Sequence, residues 1–494
     1  MLSNKKKLAK NSLVYAFFTL LQKGFAFFLI PLYTTQLSTE EYGLLGIVMA
    51  AVPFLVLIAG LSLRGSTAYF YYEYRDHNKY LRKLWGTSFT FLLVISFLFV
   101  LILWLTKNFL LNVFLEDIPF YPYLFLALIS ICTQPTYYFF QSILKAKQLA
   151  NKAAIFDFIY FFIIVVLTLI FILGFNFKAE GALLALAIAN ISFFVISLVY
   201  IFKEVDLGLN LKLLKKSLKY SLPIVPHNLS SWAMNLADRL ILNNISTLSL
   251  VGIFDIGAQI GKLINVITLG VNSAYSPWFF EQLKTDKNNK KNIAEITVKI
   301  VLLYVLVAIA ISWLSPELLR LISSKAFFGA WKVVPFIAFA FVINGFYYSF
   351  SNVFFLEKTK YLPIITGVGA IINVSLNFIL IPLYGIMGAA IASISSKLVF
   401  SAMAYWQSQR LFFIPYDLKK IILLIGLGFL ISCFVFLFQD FLSKFNVLLT
   451  IAFKILILLG IALILYWKDR SLIISYICSK INRWNEGKKR TPHN

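Results

Sequence analysis

Residues 85–106 read WGTSFTFLLVISFLFVLILWLT, and this run of 22 residues contains no charged side chain. About 20 consecutive apolar residues are enough to cross the hydrocarbon core of a bilayer as an α-helix. A strand of a transmembrane barrel would instead alternate apolar and polar residues over about ten positions. The segment is therefore predicted to be a membrane-spanning helix.

Thirteen further apolar runs of similar length occur along the chain. The fourteen predicted spans lie approximately at 11–31, 42–64, 85–106, 119–143, 153–174, 181–202, 217–242, 250–274, 293–314, 333–356, 361–382, 385–406, 418–438 and 446–467. The loops between them are too short for a soluble catalytic or nucleotide-binding domain, and no Gly-rich phosphate loop is present. The predicted fold class is an all-α integral membrane protein of about 14 transmembrane helices.

Composition supports a membrane protein, because 60% of the 494 residues are hydrophobic and only 13% are charged, against about 25% charged in soluble domains. The net charge of +24 would suggest nucleic acid in a soluble protein. Here the charges fall in short loops between apolar runs, so no nucleic acid is expected. The three cysteines have no ligand or disulfide spacing, and no metal site is predicted.

Lysine and arginine are enriched in cytoplasmic loops of membrane proteins. With the amino terminus inside, the outer segments hold only Lys107, Lys178, Arg320, Lys325, Lys332 and Lys444. The chain is therefore predicted to be a multi-pass protein of the bacterial cytoplasmic (inner) membrane with both termini in the cytoplasm. Arg64 and Arg82 follow the second span. They are expected to contact anionic lipid headgroups, or to recruit a substrate that enters from the cytoplasm.

The first six spans resemble the next six. KNSL at 10–13 matches KYSL at 219–222, and at the same offset of 209 Gly43 falls on Gly252. YYFFQS at 137–142 parallels YYSFSN at 347–352, and GALLALAIAN at 181–190 parallels GAAIASISSK at 388–397. Since each unit has an even number of helices, the two halves are predicted to be related by an axis along the membrane normal and to bind substrate between them.

The repeat divides the chain into five regions. They are an amino-terminal lobe at 1–202, a cytoplasmic linker at 203–216, a carboxyl-terminal lobe at 217–406, spans 13 and 14 at 407–467, and a basic cytoplasmic tail at 468–494.

Three lysines, Lys23, Lys262 and Lys397, lie near the middle of predicted spans, where a charge facing lipid costs about 2.5–3.5 kcal/mol. Other polar residues recur beside them at three- and four-residue steps, which places them on one helix face. These stripes predict a polar cleft. Its candidate ligands for an anionic headgroup are Lys23, Lys262, Lys397, Tyr15, Asn235 and Gln259. The alternative is that these lysines snorkel or bridge helices. For Lys454, snorkelling is the interpretation favoured.

Asp238, Arg239 and Asp255 lie toward the outer ends of spans 7 and 8. Arg239 and Asp255 are expected either to form a structural ion pair or to act with Asp238 as an outer gate or as a cation or proton site. Pro223 and Pro226 predict a kink near the cytoplasmic end of span 7.

Three stretches carry a resemblance to a known family. They are LAKNSLVYAFF with FLIPLYTTQLSTEEYGLLGI near the start, SLPIVPHNLSSWAMNLADRLILN with VGIFDIGAQIG in spans 7 and 8, and GIMGAAIAS at span 12. The chain resembles the Wzx-type polysaccharide flippases (O-antigen and capsule) of the multidrug/oligosaccharidyl-lipid/polysaccharide (MOP) exporter superfamily, with its MATE-like two-lobed fold. The resemblance implies transfer of an undecaprenyl-diphosphate-linked oligosaccharide, the polysaccharide repeat unit, from the inner to the outer leaflet by alternating access. It implies no cofactor and no enzymatic activity. Coupling to an H⁺ or Na⁺ gradient is a further expectation, with a polysaccharide polymerase and a chain-length regulator as partners.

Three other functions remain open. A lipid II flippase would carry a similar anionic lipid diphosphate. A multidrug cation antiporter of the same superfamily would need acidic residues in the cleft, whereas the charges at mid-membrane depth are lysines. A membrane glycosyltransferase or polymerase generally needs a large outer loop, and the outer loops here are short.

Overall fold

The computed structural model describes residues 21–22, 29–109, 117–285, 289–356, 361–442 and 444–467, and every regular element in these ranges is helical. The α-helices are α1 Thr39–Gly60, α2 Leu63–Tyr74, α3 Asn78–Leu105, α4 Phe125–Ala146, α5 Ala150–Leu169, α6 Lys178–Glu204, α7 Leu211–Ser221, α8 Val225–Ile245, α9 Leu248–Gly261, α10 Leu263–Thr285, α11 Lys290–Ile322, α12 Val334–Leu356, α13 Tyr361–Tyr384, α14 Ile386–Leu411, α15 Leu418–Cys433, α16 Val435–Leu442 and α17 Val447–Trp467. Short π or 3₁₀ turns extend α4, α5, α8 and α12.

The all-α membrane fold is confirmed. Eleven helices within the described ranges are long and apolar enough to cross a membrane, and they correspond to predicted spans 2–6 and 8–13. A shorter apolar helix, Val447–Gly460, falls in predicted span 14. Residues 29–36 are helical at the end of predicted span 1, most of which lies outside the described residues.

Predicted span 7 differs from the observed structure. Residues 217–221 belong to α7, a separate amphipathic helix that follows the linker and packs on α2 and α3. The Ser88 and Ser217 hydroxyls are 2.9 Å apart at this contact. A 3₁₀ turn at Leu222–Ile224 then leads into α8. Pro223 has no backbone N–H, which interrupts the helical hydrogen bonding between α7 and α8, and Pro226 lies in the first turn of α8, where proline is tolerated.

The helices form two bundles. The amino-terminal bundle contains α1–α6 and has a core that includes Trp85, Phe89 and Phe193. The carboxyl-terminal bundle contains α8–α14 and has a core that includes Phe339 and Phe350. A third buried cluster lies where α1 of one bundle packs against α9 of the other.

The last helices are attached to the carboxyl-terminal bundle by a buried ion pair. Lys454 Nζ of α17 lies 2.7 Å from Glu317 Oε2 of α11, and the two side chains are 2% and 0% exposed. Lys454 also donates to the Trp313 carbonyl at 2.8 Å. The interpretation of Lys454 as a snorkelling residue is therefore wrong: its charge is balanced inside the protein, by a glutamate 137 residues away in sequence.

Candidate functional site

A cavity of about 490 Å³ opens inside the carboxyl-terminal bundle, a volume typical of sites that bind small molecules. Its lining comes from α8, α9, α10, α12, α13 and α14, together with Lys262 between α9 and α10. Every lining residue that the structure describes belongs to the carboxyl-terminal bundle. The polar stripes predicted a cleft between the two lobes, and most of span 1, which carries Lys23, lies outside the described residues. Asp238 of α8 and Lys397 of α14 line this cavity, whereas Asn228 of α8 donates to the Ser62 hydroxyl of the amino-terminal bundle at 3.3 Å.

Lys262 lines this cavity at a break between two helices. α9 ends at Gly261, α10 begins at Leu263, and Asn265 N–H donates to the Lys262 carbonyl at 2.9 Å in a tightened turn. The carboxyl end of a helix carries partial negative charge, which favours a cation at this position. The break places a lysine at the wall of the cavity at membrane depth.

Lys397 of α14 lines the same cavity. Its Nζ lies 5.1 Å from the ring centroid of Phe341 and 5.6 Å from that of Phe400. Aromatic faces within about 6 Å stabilise a cation through the ring quadrupole. Two of the three lysines predicted from the sequence are thus brought together in one cavity.

Asp238 of α8 lines this cavity and accepts hydrogen bonds from α13 and α14. Asn377 Nδ2 donates to Asp238 Oδ1 at 2.5 Å, and Ser393 Oγ donates to Oδ2 at 3.2 Å. Asn377 also donates to Asn373 Oδ1 at 3.3 Å. The sequence analysis missed both asparagines, although their four-residue spacing on an apolar helix is the same signal that marked the stripes in spans 7, 8 and 12.

Arg239 and Asp255 form the ion pair that was one of the alternatives. Arg239 Nη2 lies 2.7 Å from Asp255 Oδ1, and the side chains are 11% and 2% exposed. Asp255 packs directly on Gly46 of α1, where a Cβ would overlap its carboxylate. The pair therefore lies at the contact between the two bundles.

Aromatic and amide side chains complete the cavity wall. Tyr347 and Tyr348 of α12 line it beside Phe341, and Asn344 Nδ2 donates to the Tyr348 hydroxyl at 3.1 Å. His227, at the far end of the lining, lies 3.0 Å from the Thr366 hydroxyl. The ring faces of the tyrosines and their polar hydroxyl groups suit a ligand that has both apolar and hydroxyl-bearing surfaces.

The other predicted ligands have different surroundings. Lys23 and Tyr15 lie outside the described residues, and of Asn235 the structure describes only its place in α8. Gln259 donates from Nε2 to the Tyr42 hydroxyl of the other bundle at 2.6 Å, so its amide joins the two bundles.

The two arginines after span 2 also differ from each other. Arg64 lies in the first turn of α2, after a break in which Leu61 and Ser62 adopt left-handed backbone conformations. Its guanidinium lies 5.5 Å from the ring centroid of Tyr138, beside a small cavity of about 80 Å³. Arg82 instead binds the linker, with its Nε 2.9 Å from Asp206 Oδ1.

The positions of the amino-terminal bundle that correspond to the cavity residues in the repeat carry different side chains. Tyr137, at the repeat position of Tyr347, is 1% exposed and donates to Asp157 at 2.6 Å. Tyr160 donates to Asn190, at the repeat position of Lys397, at 2.8 Å. The neutral side chain of Asn190 thus occupies the repeat position that holds Lys397 in the other bundle.

Two helical bundles joined at α1 and α9, with a charged cavity inside one of them, define a multi-pass membrane transporter with the fold of the MOP superfamily. The chain belongs to the polysaccharide biosynthesis protein family, whose family model matches residues 8–283, and the MatE family model matches residues 223–379. Members of this family are transporters and not enzymes.

Known proteins agree with this assignment. The chain is 23% identical over 364 residues to a Haemophilus influenzae protein described as an uncharacterized membrane protein, covering 72% of this chain and 85% of that one. Its fold is similar to the lipid II flippase MurJ in an inward closed conformation, with a TM-score of 0.72, 15% identity, and coverage of 94% of this chain and 99% of MurJ. An inward-facing multidrug resistance MATE transporter gives a TM-score of 0.62 at 16% identity, covering 80% and 94% of the two chains.

Proposed function

We propose that this protein is a flippase that moves a polyprenyl-diphosphate-linked oligosaccharide from the inner to the outer leaflet of the bacterial cytoplasmic membrane. The observation that carries the proposal is the pairing of Lys262 and Lys397 in one cavity of a polysaccharide-family transporter. The lysines bind the diphosphate or an acidic sugar, and the polyprenyl tail stays in lipid.

The balance of charge in the cavity favours an anionic substrate over a drug cation. Arg239 and Asp255 neutralise each other at 2.7 Å. Among the lining residues that the structure describes, the other charged groups are Lys262, Lys397 and Asp238, whose formal charges sum to +1. A cation exporter would need a net negative charge in its cavity, because like charges in a site of low dielectric repel strongly.

The remaining wall suits the sugar part of the substrate. Tyr347 and Tyr348 offer ring faces together with hydroxyl groups, and Asn344 offers an amide. Aromatic side chains with a polar edge can pack on the apolar face of a sugar and hydrogen-bond its hydroxyls. Arg64, beside the small cavity at the break before α2, is the group that first meets the diphosphate from the cytoplasmic side.

Coupling to a cation is assigned to Asp238. Asn377 donates a hydrogen bond to one oxygen of this carboxylate and Ser393 donates to the other. Asn377 also donates to Asn373. Carboxylate, amide and hydroxyl oxygens are suitable ligands for a hard cation such as Na⁺, and the carboxylate alone can take a proton. Movement of the two bundles about their contact then exposes the cavity to either side.

Replacement of the cavity lysines tests this function in cells that export the native glycan. Lys262→Ala and Lys397→Ala are expected to lower surface glycan about tenfold or more, because a cation in a site of low dielectric attracts phosphate strongly. Lys262→Arg should retain more export than Lys262→Gln, since charge is what matters, although the two cations differ in geometry. Immunoblots establish equal protein levels.

The matched control is Lys332→Ala, which removes an exposed lysine of the same bundle outside the cavity and should leave export unchanged. Full export by Lys262→Gln would contradict the proposal. Rescue of a strain depleted of its lipid II flippase would instead identify lipid II as the substrate.

A further inference from the structure

We propose that residues 207–219, here called the linker segment, bind the headgroups of anionic phospholipids and anchor the amino-terminal bundle to the membrane surface. Exposed leucines of this segment enter the headgroup layer, and exposed lysines contact lipid phosphate. The inference is independent of the transported substrate, because the linker segment packs on the amino-terminal bundle and contributes no residue to the cavity lining described above.

The linker segment begins at the level of the bilayer surface. α6 is long and apolar enough to cross the membrane, and it ends at Glu204. Leu207 follows only three residues later. Since an extended chain covers at most about 3.6 Å per residue, Leu207 lies within about 11 Å of the end of this span. The segment therefore meets the headgroup layer rather than bulk water.

The first part of the linker segment presents leucines that pack on little protein. The segment reads LGLNLKLLKKSLK, and Leu207, Leu209 and Leu211 are 57%, 56% and 72% exposed. A single exposed leucine needs no explanation, but a group of them marks a contact surface. Amphipathic segments at a bilayer surface bury such side chains at the boundary between headgroups and acyl chains. Lipid is therefore the expected cover.

The second part of the linker segment presents positive charge. Leu214 and Ser217 lie on the buried face of α7, which packs on α2 and α3. Lys212, Lys215 and Lys219 are exposed on the same helix. Lysines beside an apolar surface suit anionic headgroups, because the ammonium group binds phosphate while the alkyl stem covers apolar area.

Acidic side chains beside the linker segment are engaged by other cations. The pairs are Asp206 with Arg82, Glu204 with Lys147 and Glu73 with Lys216. These carboxylates therefore leave the exposed lysines of α7 for an external anion. Near an anionic membrane surface each such lysine strengthens binding about fivefold.

The linker segment is fixed to the amino-terminal bundle. The Asp206 N–H donates to the Arg82 carbonyl at 3.2 Å, and Arg82 Nη1 donates to the Lys203 carbonyl at 2.8 Å. The Asp206 carbonyl also lies so close to Gly86 that a Cβ there would overlap it. Lipid bound to the segment is therefore coupled to this bundle as a whole.

The test measures lipid contact at Leu209 in the purified full-length protein. Leu209→Cys, in a background without the three native cysteines, carries a nitrobenzoxadiazole fluorophore. The protein is placed in nanodiscs with equal amounts of phosphatidylcholine and phosphatidylglycerol, and only one of the two lipids has brominated, quenching acyl chains. We expect brominated phosphatidylglycerol to quench about twofold more than brominated phosphatidylcholine. High salt should reduce this ratio, because it screens exposed charges.

The matched control is Phe162→Cys, labelled in the same way. Phe162 is exposed on α5, which is also long and apolar enough to cross the membrane, so both lipids should quench this label equally. The variant Lys212→Gln/Lys215→Gln/Lys219→Gln should lower the ratio at position 209 to that of the control.

Absence of quenching at position 209 by either lipid would show that the leucines contact water or a second copy of the chain, and would overturn the proposal. Equal quenching by the two lipids in the protein with its lysines would overturn the preference for anionic headgroups, whether or not the glutamine variant folds. A ratio unchanged by the glutamine substitutions would contradict the role of the lysines.

Discussion

Gly43 and Gly252 face each other across the contact between α1 and α9. A Cβ built on Gly43 would lie 3.0 Å from the backbone nitrogen of Gly252, and a Cβ built on Gly252 would lie 3.0 Å from that of Gly43. The first would overlap the carbonyl oxygen of Leu248 and the second that of Thr39. Gly43 and Gly252 are separated by 209 positions in the sequence, and so are Thr39 and Leu248. The contact is therefore reciprocal, as a two-fold axis running between the two helices requires.

This close approach predicts the effect of adding one methyl group. Gly43→Ala or Gly252→Ala places a Cβ against backbone, which cannot move aside, and should destabilise the protein by about 1–3 kcal/mol. Thermal unfolding of the purified protein measures the loss. Gly270→Ala is the control, because nothing lies within 4 Å of its Cβ. A helical Gly→Ala change in open space should be neutral or stabilising by up to about 1 kcal/mol. Equal stability of all three variants would show that the crossing is looser than described.

The same contact predicts a cross-link that stops transport. The Thr39 and Ser249 hydroxyls of the two bundles are 2.7 Å apart, so cysteines at these positions should oxidise readily to a disulfide. In a background without the three native cysteines, the oxidised Thr39→Cys/Ser249→Cys pair should block glycan export, and a reductant should restore it. The bundles must separate at this point if access alternates.

The control is a cross-link that leaves the contact between bundles free. Ser88 and Ser217 are 2.9 Å apart where α7 packs on α3 of the amino-terminal bundle. An oxidised Ser88→Cys/Ser217→Cys pair should export normally. Normal export by the oxidised Thr39→Cys/Ser249→Cys protein would rule out opening at α1 and α9.

The buried pair of Glu317 and Lys454 predicts strong coupling between α11 and α17. Glu317→Gln leaves a buried lysine without its counter-charge, and loss of one partner of such a pair costs about 3–5 kcal/mol. The double variant Glu317→Gln/Lys454→Met should recover much of this loss, since no uncompensated charge remains. A double-mutant cycle on the unfolding temperature measures the coupling, and additive effects would contradict the close pairing.

The orientation of the chain is a further prediction. Cysteines placed after Arg64, Lys145 and Lys203 should react with a membrane-impermeant maleimide only after the inner membrane is opened, because Lys- and Arg-rich loops stay in the cytoplasm. A cysteine at Lys325, in a predicted outer segment, should react in intact spheroplasts. The reverse pattern would invert the predicted topology.

The sequence predicted the helices and part of the site, for different physical reasons. Apolar runs predict membrane spans directly because hydrocarbon requires helices there. Among the spans that the structure describes, span 7 was misplaced at its start, where residues 217–221 belong to the helix before the turn at Pro223. Helical spacing put Asp238, Lys262 and Lys397 on polar faces, and all three line the cavity.

Contacts between distant helices were beyond that reasoning. Residue spacing along one helix does not show which other helix packs against it. The ion pair of Glu317 with Lys454 and the hydrogen bond of Asn377 to Asp238 were therefore not predicted. The cleft between the lobes stays a prediction, because most of span 1 lies outside the described residues. Asn373 and Asn377 of span 11 could have been predicted, because two amides four residues apart on an apolar helix lie on one face.

The central claim is that the substrate headgroup occupies the cavity of the carboxyl-terminal bundle. Benzoylphenylalanine placed at Phe341, which lines the cavity, tests it directly in cells that make the lipid-linked glycan. Phe378 of α13, exposed on the outside of the same bundle, is the matched control position. After irradiation, mass spectrometry should find an adduct containing diphosphate and sugar at position 341 but not at 378, and Lys262→Ala should abolish it. Equal labelling at both positions, or an adduct that persists without the lysine, would contradict the account.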